Sequence, residues 1–157
     1  MGRVDLAFSR DTLQFSLGLL VVPPSGGPLI TAEFIVDTGS NTSALSESTA
    51  RKLGVNPESL ATELTVGVGG ATKAPIYAGT ITAYLTPNLD KTLLKSPRVF
   101  FPITRKAKKK VAGRVVAQAI QEFPIPNLMG MDALGSINGG PGVLHLDLRE
   151  GSGYIEW

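Results

Sequence analysis

The chain has 157 residues, of which 43% are hydrophobic, so it is long enough to bury a core and suits one domain of ordinary size. Lys plus Arg exceeds Asp plus Glu only by 15 to 13, which argues against a surface that binds polyanions over its whole extent. With no cysteine and a single histidine, the chain excludes disulfide scaffolds, thiolate zinc sites, cysteine nucleophiles and multi-histidine metal sites. We expect no metal and no cofactor.

The N-terminus carries no recognisable targeting signal. Its first ten residues, MGRVDLAFSR, lack the apolar stretch of a signal peptide. The longest apolar run, LGLLVV at 17–22, is too short to span a bilayer. We therefore expect a cytoplasmic protein.

Short runs rich in Val, Ile, Leu, Thr and Phe are separated by 18 glycines and 11 prolines, a pattern typical of a mainly β domain with many turns. Strands are predicted at 13–22, 29–36, 64–68, 74–85, 99–103, 142–148 and 154–157. A short helix is predicted from Ser46, which can cap the first turn, to Gly54. A second short helix is expected after Gly130, and 87–97 reads as a surface connection.

The stretch 105–121 is ambiguous between a basic helix and a strand, and we favour a charged loop followed by a strand. Six Lys or Arg lie between Arg105 and Arg114. A solvated loop explains them most simply. Docking on an acidic partner, a nucleic acid or an anionic membrane is the alternative, although no aromatic residue interleaves with the lysines to support base stacking.

A carboxylate and two hydroxyls follow one apolar strand on a glycine turn, in the sequence FIVDTGS at 34–40. Asp37 comes directly after the strand, and Thr38, Gly39 and Ser40 follow it. An ordinary turn that satisfies its own backbone explains an isolated Asp-Thr-Gly equally well.

Two further features accompany the acid turn. In NLMGMDAL at 127–134, Gly130 follows two large apolar residues, and a glycine at the end of a buried strand lets another backbone lie close to it. At 64–81 a glycine-rich hairpin can move as a lid and offer backbone N–H groups to an extended ligand. Either feature alone is also compatible with ordinary strand packing or an ordinary mobile hairpin.

The three features occur along the chain in the order acid turn, glycine hairpin and apolar-apolar-glycine. In this order the chain resembles the retropepsin-like aspartic proteases, the single-lobe family that includes retroviral proteases and their cellular and bacterial relatives. The resemblance rests on VDTGS, on LMGMD and more weakly on GVGG. It implies a mainly β, closed barrel-like single lobe with one or two short helices. Residues 1–157 would form this one domain, with a basic insertion at about 103–114.

The resemblance implies an aspartic endopeptidase that hydrolyses extended polypeptides with a water activated by two aspartates. Because the chain has one such motif, two copies must pair, each contributing Asp37 as the catalytic residue. Thr38 would bond the facing loop, Gly39 would bring a backbone N–H to the carboxylates, and Ser40 would hydrogen-bond the outer carboxylate oxygen. Gly130 would lie beneath the acid loop.

The glycine hairpin would be the flap over the substrate. Its residues are Gly67, Val68, Gly69, Gly70 and Ala71. The resemblance also implies apolar substrate pockets, one of them near Ile35.

Two other functions stay open at this point. One is a dimerisation or peptide-binding module that keeps the scaffold without hydrolysis. The other is a nucleic-acid-binding β domain that uses the basic stretch. His145 and Asp147 lie on one strand face and could suggest a catalytic pair, but an exposed strand position explains both more simply.

Overall fold

The structure is a computed structural model that describes residues 2–67, 70–86 and 88–157. The protein is mainly β with two short helices, which confirms the predicted fold class. The strands are β1 Arg3–Asp5, β2 Ala7–Ser9, β3 Gln14–Val21, β4 Ile30–Val36, β5 Ala44–Ser46, β6 Thr62–Gly67, β7 Gly70–Pro75, β8 Thr80–Leu85, β9 Asp90–Lys95, β10 Arg98–Phe100, β11 Ile103–Val111, β12 Arg114–Phe123, β13 Asn127–Met129, β14 Val143–Asp147 and β15 Ser152–Glu156. The helices are α1 Glu47–Lys52 and α2 Met131–Leu134, with a 3-10 turn at Pro57–Ser59.

An eight-stranded sheet forms the body of the protein, in the order β10-β5-β13-β4-β3-β8-β9 with β2 added against β3. It curls into a half-barrel around the apolar core. Along strand β3 buried and more exposed residues alternate, and Leu17, Leu19 and Val21 are on the buried side. From β4 the fully buried Phe34 enters the same core. Burial of this apolar face is the main stabilisation of the fold.

The two ends of the chain meet in a second sheet of three strands, β1-β15-β14. β14 and β15, which correspond to the strands predicted at 142–148 and 154–157, pair as a hairpin. Gly2 and Trp157 exchange two backbone hydrogen bonds of 2.8 and 3.1 Å. The Trp157 ring covers Gly2 so closely that a Cβ there would lie 2.4 Å from it. Trp157 therefore packs on its own N-terminus.

The predicted surface connection at 87–97 is wrong, because it contains strand β9, which pairs with β8. Thr92 and Leu94 are fully buried while their charged neighbours face outward. The Lys and Asp residues that made the stretch look like a loop are thus the outer face of a strand. The strand predicted at 74–85 is also interrupted, since β7 ends at Pro75 and β8 begins at Thr80.

The basic stretch is a hairpin of its own, β11 with β12, and the predicted loop before a strand is wrong. Ala112 and Gly113 form its turn with φ of 52° and 76°, the positive values of the tight turns that suit twisted hairpins. Its β-branched residues favour strands, and this local preference outweighs the run of lysines. The lysines at 108–110 are exposed.

Among the described residues, the longer helix, α1, has six residues, and no helix is both long and apolar enough to cross a bilayer. The Ser46 side chain accepts a hydrogen bond from Thr49 N and caps α1, as the sequence indicated.

Candidate active site

The acid turn begins where β4 ends, beside the end of its parallel neighbour β13. The Asp37 N–H donates to the Met129 carbonyl oxygen at 3.0 Å, so the ladder continues one residue into the turn. The Gly39 N–H donates to Asp37 Oδ1 at 3.0 Å. Asp37 is half-buried, whereas Thr38 and Gly39 are exposed. The turn therefore holds one carboxylate oxygen in place at the protein surface.

Gly130 lies against the acid turn at a distance that only glycine allows. A Cβ on Gly130 would lie 2.6 Å from the Thr42 carbonyl carbon and 2.9 Å from the Ser40 carbonyl oxygen. The next residue, Met131, donates its N–H to that Ser40 oxygen at 2.9 Å. The two segments that the sequence singled out are thus in direct backbone contact.

A buried hydroxyl that sequence reasoning missed joins these segments. Ser43 is completely buried, accepts from the Gly130 N–H at 3.0 Å and donates to Asp132 Oδ1 at 2.7 Å. The other Asp132 oxygen accepts from the Lys95 N–H at 2.8 Å. Ser43 thereby links the acid loop to α2 and, through Asp132, to β9. Ser43 and Asp132 are 89 residues apart, so no local pattern indicates the pair.

Ser40 differs from the expectation. Its hydroxyl donates to the Thr42 carbonyl oxygen at 2.6 Å, so in this chain it stabilises the loop and does not bond the Asp37 carboxylate. The Ser40 N–H also bonds the Asp37 carbonyl oxygen at 3.3 Å, closing the turn. Ser40 thus supports the backbone of the turn.

The glycine hairpin consists of β6 and β7, paired from Thr62 with Pro75 to Gly67 with Gly70. Val68 and Gly69, predicted at its tip, lie outside the described residues. Gly70 adopts φ of 100°, and Ala71 is exposed opposite Val66.

A groove of about 660 Å³ separates the hairpin from the acid turn. Leu64 and Val66 line it from β6, and Asp37 and Leu128 line it from the sheet. Leu64 and Val66 are 63% and 76% exposed, so β6 presents two exposed apolar side chains to the groove.

Arg98 also lines this groove and was missed by the sequence analysis. Its Nε donates to Thr65 Oγ1 of β6 at 2.7 Å, and its Nη1 donates to Thr42 Oγ1 behind the acid turn. The signal is weak in the sequence because one Arg after a proline looks like any surface residue.

Ile35 lies in a second hollow of about 480 Å³ on the other side of Asp37. Exposed Leu13, Leu146 and Leu148 line this hollow and surround Asp37 with apolar surface. Asp37 therefore stands at the junction of two open hollows.

His145 is outside both hollows and does not pair with Asp147. Its Nε2 lies 2.8 Å from Glu156 Oε1, and its ring stacks on Tyr154 at 4.3 Å between centroids. Asp147 Oδ1 instead accepts hydrogen bonds from the backbone N–H groups of Arg149 and Glu150 in the hairpin turn. Across residues 2–67, 70–86 and 88–157, no group of three His, Asp or Glu side chains could hold a metal ion.

Comparison with known proteins agrees with this geometry. The crystal structure of a retropepsin-like aspartic protease from Rickettsia conorii matches with a TM-score of 0.56 at 19% identity, over 98% of this chain and 90% of that chain. The chain has a retropepsin-like fold. A family model described as aspartyl protease matches residues 25–84, which include the acid turn and the glycine hairpin. The predicted resemblance to the retropepsin-like family is confirmed.

A search of curated proteins finds no match. The retropepsin-like fold and the aspartyl protease match together support a protease function in general terms.

Proposed function

We propose that this chain is an aspartic endopeptidase that acts as a homodimer, with one Asp37 from each copy in the catalytic pair. The observation that carries the proposal is the Asp37 carboxylate, held by the Gly39 N–H at the rim of a groove with the β6–β7 hairpin on its other side. One chain supplies one such carboxylate, and an aspartic mechanism needs two.

The chemistry follows from bringing the two carboxyls together. Two carboxylates about 3 Å apart repel each other, so ionising both at once is unfavourable. The pair therefore shares one proton, and its two macroscopic pKa values separate. The ionised member takes a proton from a water between them, and this water attacks the peptide carbonyl carbon. The protonated member stabilises the developing oxyanion, and a proton then reaches the leaving nitrogen.

The surface around Asp37 supports pairing of two copies. Leu13 and Leu148 are 64% and 60% exposed beside the acid turn. Covering them with a second copy removes apolar surface from water, at roughly 25 cal/mol per Å². Thr38, exposed at the tip of the turn, would then face its own copy across the twofold axis.

The groove suits a polypeptide in extended conformation. A strand laid along β6 meets Leu64 and Val66, which lie on one face of that strand at a spacing of two residues. Alternate substrate side chains would enter the hollows on either side of Asp37, one of them lined by Ile35. The β6–β7 hairpin would act as the flap, with Gly67, Gly70 and Ala71 on its described part.

The decisive test compares the wild-type protein with Asp37→Asn on a library of unstructured peptides between pH 4 and 7. We expect cleavage by the wild type and a loss of about four orders of magnitude in Asp37→Asn, the scale reported when a catalytic acid or base is removed. Asp11→Asn, an exposed turn residue outside both hollows, is the matched control and keeps full activity. Equal turnover in the wild type and Asp37→Asn rejects the proposal.

Sedimentation velocity on the same samples tests the dimer. Leu148→Glu places a charge in the apolar surface beside Asp37 and should shift the protein to monomer with loss of cleavage. A fully active monomer contradicts the shared site. Retention of intact peptide by an inactive dimer would instead identify a binding module on this scaffold.

A further inference from the structure

Arg98 places a positive charge in the groove that holds Asp37. It begins β10, is half-buried, and lines the groove with Leu64, Phe100 and Leu128. Asp37, Asn41 and Thr42 line the same groove, so Arg98 lies among both apolar and polar side chains with part of its surface removed from water.

The guanidinium is held in place but not neutralised. Its two hydrogen bonds go to the hydroxyls of Thr65 and Thr42, which are neutral acceptors. None of the ion pairs within residues 2–67, 70–86 and 88–157 includes Arg98. A guanidinium has five N–H donors in a rigid fork, so most of its donors have no partner in this part of the chain.

A half-buried cation loses part of its favourable hydration free energy, and hydrogen bonds to two neutral hydroxyls replace only part of that loss. Arg51, in contrast, is paired with Glu47 and Glu58 of its own chain. A carboxylate that enters the groove would supply the charged partner that Arg98 lacks among residues 2–67, 70–86 and 88–157.

We propose that Arg98 is a carboxylate-binding subsite of the groove and selects substrates that carry an Asp or Glu side chain close to the cut. This inference rests on the proposed endopeptidase function and names its substrate class. Two parallel N–H donors of a guanidinium fit the two oxygens of a carboxylate, a geometry that a lysine cannot reproduce. The hydroxyl of Thr65 on β6 and the hydroxyl of Thr42 in the acid loop hold the Arg98 guanidinium in position.

The twofold symmetry of the proposed dimer sharpens the inference. Each copy contributes one Arg98, so two guanidinium groups flank the catalytic pair at equal distances. The preference for an acidic side chain should therefore appear at two substrate positions placed symmetrically about the cut.

A purely structural role for Arg98 makes a different prediction. If Arg98 only ties β6 to the acid loop, its loss weakens binding of all peptides by the same factor. If it binds a substrate carboxylate, its loss changes the ratio between peptides that differ only in Glu against Gln. This ratio, measured within one variant, is independent of how much of that variant is folded.

The experiment uses peptides taken from the cleavage library, resynthesised with Glu or Gln at each position around the cut in turn. For the wild type we expect kcat/KM to be about tenfold higher with Glu at the two symmetric positions, the worth of one hydrogen-bonded charge. Arg98→Gln should bring the ratio to about one, and Arg98→Lys should restore only part of it. Arg149→Gln, an exposed arginine outside the groove, is the matched control and keeps the wild-type ratio.

A binding measurement separates failure of this inference from failure of the proposed function. Fluorescent peptides of alternating Val and Ala with a single central Glu or Gln are titrated against Asp37→Asn protein, with and without Arg98→Gln. Tighter binding of the Glu peptide that is lost in Arg98→Gln supports the subsite even if no cleavage is ever seen. Equal affinity for the two peptides, or no measurable binding, overturns it, whether or not the wild type cleaves.

Discussion

Replacing Gly130 by alanine tests whether the close approach of α2 to the acid turn holds the site together. The added Cβ would lie 2.6 and 2.7 Å from the carbonyl carbon and oxygen of Thr42, and 2.9 Å from the Ser40 oxygen. Ordinary van der Waals contact begins at 3.4 Å, so the Thr42 carbonyl carbon, at 2.6 Å, would be about 0.8 Å too close to the added Cβ. All three atoms are backbone, so no side chain can rotate away.

The magnitude follows from what has to move. Overpacking of this kind costs about 1–3 kcal/mol. Shifting the turn also weakens the hydrogen bonds from Asp37 N to Met129 O and from Met131 N to Ser40 O, at about 1 kcal/mol each. We expect a loss of roughly 3–5 kcal/mol, which in a chain of this size lowers the Tm by roughly 6–20 °C.

Thermal and urea denaturation measure the loss, with Gly18→Ala as the matched control. Gly18 lies on the exposed side of β3 and a Cβ there meets no atom within 4 Å, so alanine should leave stability unchanged or raise it slightly. If Gly130→Ala melts no lower than Gly18→Ala, the contact between α2 and the acid turn is not as tight as the structure has it. In the proposed enzyme the displaced carboxylate should also cost about 100-fold in kcat/KM.

Three further changes have defined outcomes. Ser43→Ala leaves the buried Gly130 N–H and the Asp132 Oδ1 atom without their Ser43 partner, so the free energy of unfolding measured in urea should fall by about 1–3 kcal/mol. An unchanged urea midpoint would contradict these two hydrogen bonds. Arg51 donates to the exposed Glu58 and holds the pKa of that carboxyl below its ordinary value of 4.5. Because the pKa of Glu58 is lower in the folded state, the stabilisation of the fold by this ion pair is complete above pH 4.5. It is lost as the pH falls through the lowered pKa. The Tm difference between the wild type and Glu58→Gln should therefore shrink in acid, and a difference independent of pH argues against the pair. Exchanging the exposed lysines at 108–110 for serine should leave the Tm within about 1 °C, and a larger drop would show that the hairpin carries part of the fold's stability.

The elements that the sequence predicted well are those with a local signature. They are β3, predicted at 13–22, the Ser46 cap, and β14 and β15, predicted at 142–148 and 154–157, and each depends on residues within a short segment. The error at β9 has the opposite character. β9 has charged residues on its outer face, and its strand state depends on pairing with β8 and on burial of Thr92 and Leu94. Tertiary context here overrides local propensity.

The acid turn, the glycine hairpin, the close-packing glycine and their order can all be read from the amino-acid sequence, and with them the retropepsin-like resemblance. Each of these depends on a residue type at a fixed local position, such as a carboxylate before a glycine turn or a glycine where no Cβ fits. In contrast, the folded structure was needed to show that Ser43 and Asp132 hold the acid loop and that Arg98 lines the groove. These contacts join residues 89, 56 and 33 positions apart, and their energy comes from burial and long-range hydrogen bonding that no short segment encodes.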